Sequence, residues 1–100
     1  TRSDIRLQDA ELIEFNEAFA AQVLASLDEL EIEEASVNLD GGALALGHPF
    51  GASGAILVTR IFHQLLKSTA IDDQGALALT MMGIGGGMGL SAAWRFAQIT

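Results

Sequence analysis

The 100-residue sequence has no cysteine, no tyrosine, a single proline, and five basic residues against thirteen acidic ones. Without cysteine there is neither a disulfide framework nor a thiolate to serve as metal ligand or nucleophile. Two histidines, His48 and His63, with no paired carboxylate motif beside them, do not make a metal site. The formal charge of −8, with eleven of the acids before Gly41, removes the basic face that a phosphate backbone needs, so nucleic acid is not an expected partner. No signal-peptide pattern opens the chain, and glycine breaks its apolar runs well short of the ~20 residues of a membrane span. The expectation is a cytoplasmic protein with no membrane partner. Half of the residues are apolar, enough for one modest core.

The polar start, Thr1 to Asp9, lacks an initiating methionine and reads as the entry to a domain already under way. Leu12-Ile13-Glu14-Phe15 reads as a short buried strand. A helical period follows, with Phe19, Val23, Leu27 and Leu30 on one face and Glu17, Gln22, Ser26 and Glu29 on the other. Asn16 suits the N-cap of that helix, with Glu17 near the positive end of its dipole. The acidic stretch Glu31 to Glu34 separates it from a short strand at Val37-Asn38-Leu39. Ala52 to Lys67 reads as a second helix, striped by Leu57, Ile61 and Leu65 and widened by Val58 and Phe62. After a turn at Asp72-Asp73-Gln74-Gly75, Ala76 to Met82 and Leu90 to Ala97 read as two antiparallel strands joined by the Gly83 to Gly89 loop. The order β-α-β-α-β-β predicts one layered α/β unit over residues 1–100.

Two glycine-rich stretches carry the candidate chemistry. Asp40 to Gly54, D-G-G-A-L-A-L-G-H-P-F-G-A-S-G, holds His48 on a turn fixed by Pro49, leading into a helix whose N-terminus has free N–H groups and positive dipole character. The structural alternative is a histidine merely satisfied by hydrogen bonds in a turn. The second stretch, G-I-G-G-G-M-G from Gly83 to Gly89, fails the G-x-G-x-x-G register because residue 88 is methionine, which argues against a nucleotide loop. It reads as a tight hairpin, as a close approach of two backbones, or as a set of N–H groups aimed at a developing oxyanion. His63 is expected to be structural or solvated, and Trp94 and Phe96, on one face of the last strand, are expected to pack.

Three blocks, N-E-A-F-A-A-Q from Asn16, N-L-D-G-G-A-L-A-L-G-H-P-F-G-A-S-G from Asn38 and G-I-G-G-G-M-G from Gly83, stand in an order that resembles the thiolases. More narrowly, the sequence from about Asp4 to Phe96 resembles the C-terminal part of an acetyl-CoA acetyltransferase. The resemblance implies a segment of the second of two similar halves, each βαβαβαββ around a five-stranded sheet, with the first strand and helix of that half and the whole other half outside this chain. It implies acyl transfer between CoA thioesters by Claisen condensation or thiolysis, with CoA or acetyl-CoA as substrate and no tightly bound cofactor. By position, Asn16 matches the asparagine that holds a catalytic water. His48 matches the histidine that joins it in an oxyanion hole, and Gly85 matches a glycine whose N–H serves a second oxyanion hole.

Two departures stand against that pattern. Gly83 occupies the position of the acid–base cysteine, and the nucleophilic cysteine belongs to the family's first half, so the chain alone is expected to be inactive. Asp40 replaces a common asparagine; it would raise the pKa of His48 where the two side chains meet. Three readings stay open: a thiolase segment completed by another segment, a degenerate module that binds acyl-CoA or a protein without catalysis, and a structural association module. The wide apolar arc from Leu57 to Leu65 also predicts self-association or an N-terminal thiolase segment as partner.

Overall fold

The computed structural model describes residues 4–67 and 75–96. A three-stranded mixed sheet carries the fold: β1 (Leu12–Phe15), β2 (Ala76–Ile84) and β3 (Met88–Phe96), in the order β1-β2-β3. β1 and β2 run parallel, with Ile13 opposite Leu79 and Phe15 opposite Met81, while β2 and β3 form an antiparallel hairpin. Among the described residues three α-helices accompany it: α1 (Ala20–Glu29), the single turn α2 (Ala43–Leu46), and α3 (Ser53–Lys67).

Strand alternation divides the core in two. Ile13, Phe15, Leu79 and Met81 on one face pack with Val23 and Leu27 of α1 and with Val37. On the other, Ala76 and Ala78 lie under Ile61 and Leu65 of α3, with Leu12 and Phe96 at the margin. The small alanines let the long helix sit close to the sheet. The predicted stripe of α3 is confirmed, since Leu57, Ile61 and Leu65 are buried, whereas Phe62 is 47% exposed and Leu66 65%.

Several sequence expectations are corrected. Asn16 is not a helix cap: its backbone N–H continues the sheet, donating to Met81 O at 2.8 Å, and α1 begins only at Ala20, behind Phe19 in an extended conformation. Phe19 accordingly lies outside the core. The strand at Val37-Asn38-Leu39 shrinks to one bridge between Val37 and Ile13. Asn38 adopts φ 53°, a left-handed conformation that asparagine tolerates better than most residues, and this turns the main chain away from the sheet. Its side chain then does what a strand would have done. Oδ1 accepts from Phe15 N at 2.8 Å and Nδ2 donates to Phe15 O at 2.7 Å.

The hairpin is longer than expected, pairing as far as Ile84 opposite Met88. Only Gly85 to Gly87 remain as the turn, closed by the left-handed Gly86 and Gly87 at φ 76° and 72°. The predicted turn at Asp72 to Gln74 and the predicted strand end at Ala97 lie outside the described residues.

Candidate active site

Where β1 ends, the sheet face toward α3 carries two polar side chains, Glu14 and Asn16, only 1% and 3% exposed. The 39–52 segment folds back over them and delivers His48. Its descent is fixed by Glu17, whose carboxylate accepts from Leu44 N at 3.2 Å and from Asn38 Nδ2 at 3.2 Å. Glu17 thus tethers the loop and the start of α2; the sequence had suggested only a residue favourably placed near a helix dipole. A Cβ at residue 42 would meet the Glu17 carboxylate, so any larger residue there would displace the end of that side chain from where it bonds Leu44 N. Arg60 of α3 adds a bond from Nη1 to Gly41 O.

Both ring nitrogens of His48 have neighbours. Nε2 lies 3.3 Å from Asn16 Nδ2, and Nδ1 lies 2.5 Å from Ser53 Oγ, the first residue of α3. Ser53 Oγ in turn donates to Pro49 O at 3.1 Å. The exposed Phe50 ring stands 4.7 Å from the imidazole, centroid to centroid. Two residues singled out from separate motifs, Asn16 and His48, therefore meet.

His48 borders an open cleft of about 1010 Å³ that the hairpin end also lines, with Gly83 and Gly85. Phe15, Phe50, Met81 and Met82 supply apolar lining. The cleft brings three of the four predicted site positions together, and Asn16 joins them through His48. Gly83 has no left-handed φ, and the first atom that a Cβ there would meet is Gln22 Nε2 at 3.7 Å, an ordinary contact distance. Nothing in the backbone or its surroundings demands glycine at this position.

Beneath the histidine, Glu14 forms a second polar cluster that the sequence reading missed. Gln64 Nε2 lies 3.0 Å from Glu14 Oε1 and 3.0 Å from Asp40 Oδ2. Asp40 thus turns to Gln64, and the expected pairing with His48 is not the one it makes. Glu14 Oε2 has no hydrogen-bond partner. Burial pushes the Glu14 carboxyl above its usual range, with Asp40 and Glu17 adding to the rise, while the Gln64 bond and Arg60 oppose it. An acid inside the apolar run L-I-E-F was the available signal. Ser53 gave no comparable sign among small residues. Among the described residues no group of His, Asp and Glu is arranged to hold a metal, and no helix is long and apolar enough to cross a membrane.

Comparison with known proteins matches this arrangement to one family. The family model described as thiolase, C-terminal domain, covers residues 1–95. VraB of Staphylococcus aureus (strain COL), assigned as an acetyl-CoA C-acetyltransferase, is 48% identical over 91 residues, 91% of this chain and 22% of that protein. YhfS of Bacillus subtilis, assigned likewise, is 48% identical over 88 residues, 88% of this chain and 23% of its own length. Among solved structures, the peroxisomal 3-ketoacyl-CoA thiolase of Saccharomyces cerevisiae superposes with a TM-score of 0.81 at 37% identity, covering 95% of this chain and 26% of that one. The Bacillus anthracis acetyl-CoA acetyltransferase gives 0.81 at 36% identity, over 92% and 22%. The chain thus spans roughly a quarter or less of the length of these relatives. With its mixed α/β sheet and this family match, the chain belongs to the thiolases and corresponds to their C-terminal domain.

Proposed function

We propose that this chain supplies the oxyanion-stabilising part of a site for acyl transfer between CoA thioesters, acting with a segment that carries the nucleophilic cysteine. The observation that carries the reading is the contact of His48 with Asn16 at 3.3 Å, beside a cleft that His48 lines together with Gly83 and Gly85. When the methyl of acetyl-CoA loses a proton, negative charge collects on the thioester oxygen. A positioned N–H donor in a site shielded from water stabilises such an oxygen by roughly 3 kcal/mol. His48 and the water held by Asn16 serve that oxygen, and the Gly85 N–H serves the tetrahedral oxyanion of acyl transfer. The substrate is an acyl-CoA, no tightly bound cofactor takes part, and the chain forms part of a thiolase C-terminal domain.

The test is thiolysis of acetoacetyl-CoA by the protein that carries this chain together with the cysteine-bearing segment. His48→Ala is expected to lower kcat; an effect confined to KM would assign His48 to ground-state binding and sink the oxyanion role. A second reading, an acyl-CoA-binding module without catalysis, is favoured by one observation, the missing side chain at Gly83. Tight acetyl-CoA binding with no turnover even after Gly83→Cys would decide for that reading.

A further inference from the structure

The contacts of His48 favour one place for its ring proton. An amide nitrogen donates and cannot accept, so Nε2, facing Asn16 Nδ2 at 3.3 Å, is the acceptor of that pair. Ser53 has one hydroxyl hydrogen and two neighbours, Pro49 O at 3.1 Å and His48 Nδ1 at 2.5 Å. The hydroxyl donates to Pro49 O, which also accepts from the Ala52 and Ser53 N–H groups at 2.9 Å, and the lone pairs of Oγ are left facing Nδ1. One unbroken direction of donation results: Asn16 to His48, His48 to Ser53, Ser53 to Pro49. Reversing it would set two N–H groups against each other at Nε2. Ser53 is 3% exposed, so water does not readily replace its hydroxyl.

We propose that Ser53 is the positioning residue that holds neutral His48 as its Nδ1–H tautomer and leaves Nε2 as a proton acceptor. For its functional meaning the proposal rests on the oxyanion reading of His48. A neutral ring in this tautomer has no hydrogen at Nε2, so it takes up a proton there, from the cysteine thiol of the complementary segment as that thiol becomes the thiolate nucleophile, before that nitrogen can donate to an oxyanion. Ser53 does not touch substrate; it sets which form of the imidazole does.

The experiment is ¹⁵N–¹H correlation of the histidine side chains in the substrate-free protein, at a pH where His48 is neutral, with its signals identified by their loss in His48→Gln. The wild type is expected to show the proton on Nδ1. Ser53→Ala is expected to move it toward Nε2, and Ser53→Thr, which keeps the hydroxyl, to restore the wild-type pattern. A proton on Nε2 in the wild type overturns the proposal, as does an identical pattern in wild type and Ser53→Ala. Should the alanine variant fail to fold, the wild-type and threonine spectra still decide. Because no turnover is measured, this result and the kinetic test of His48 fail separately: a harmless His48→Ala removes the oxyanion reading and leaves the tautomer standing.

Discussion

One wall of the cleft is tied by side chains, the other by backbone alone at its tip. On the histidine side two sets of side chains hold the main chain: Asn38 bonds Phe15 N and Glu17, which reaches Leu44 N, and Asn16 meets His48, which meets Ser53. On the hairpin side, Gly83 pairs with Gly89 across the ladder and the turn beyond consists of Gly85 to Gly87. The first wall fixes the direction in which a donor points, at the cost of ordering several polar groups. The second offers space and backbone N–H groups with no rotamers to order. Substitutions should therefore act oppositely on the two walls: on the hairpin side they change chemistry and spare stability, and on the histidine side most of them disturb both.

The sharpest test is Gly83→Cys in the complemented protein. Positioned acid–base catalysis is typically worth about 10²–10⁴-fold, and thiolysis should rise on that scale while the thermal midpoint hardly moves. The room around Gly83 licenses the second half of that expectation. A large loss of stability would show that the hairpin wall is as tightly determined as the histidine wall. Next, His48→Ala should lower kcat by about 10²–10³-fold, the usual size for one oxyanion donor, as read by steady-state kinetics.

Asn38→Ala strips the buried ends of Phe15 N and O of their partners and frees Glu17 from one of its anchors. Leaving buried backbone groups unpaired costs on the order of 2–3 kcal/mol, to be measured as a drop in the urea midpoint at unchanged slope. An unchanged midpoint would break the contrast between the walls.

Glu14→Gln should have the smallest effect, and its direction reverses the usual carboxylate case. Burial raises the folded-state pKa, so between the unfolded value near 4.5 and the higher folded value the native state holds a proton that the unfolded chain releases. Wild-type stability from this group is full below 4.5 and falls as pH rises through that window. Glu14→Gln removes that slope, matching the wild type in acid and exceeding it at neutral pH. Parallel pH–stability curves for the two proteins would contradict the account.

The elements that periodicity could reveal were legible. Val23 and Leu27 are buried on α1, Leu57, Ile61 and Leu65 on α3, and the hairpin lies where its apolar runs placed it. The joining of Asn16 and His48 was also readable, though only through the family's blocks, since nothing in spacing alone brings those residues together. Illegible were roles set by partners distant in the chain. Asn16 has the chemistry of an N-cap, but α1 begins only at Ala20, and the Asn16 side chain goes to His48 instead. Asn38 looks like a strand residue until its left-handed φ is known. Glu17 looks like a surface acid, yet it occupies the space that Gly42 leaves by having no Cβ. Each of these depends on an approach between segments that local propensity does not encode.

The order of strand pairing also says something about how the cleft is assembled in time. β2 and β3 are joined by three residues, and a hairpin of that kind closes on the microsecond scale. β1 can pair with β2 only after α1, α2 and α3, all of which lie between Ile13 and its partner Leu79, have been looped out, and that closure carries its entropy cost before the parallel ladder returns anything. The link from Asn38 to Phe15 spans 23 residues and closes a far shorter loop. The histidine wall and the glycine wall can thus each organise within their own stretch of chain, and the rate at which the cleft first exists is the rate at which β1 finds β2.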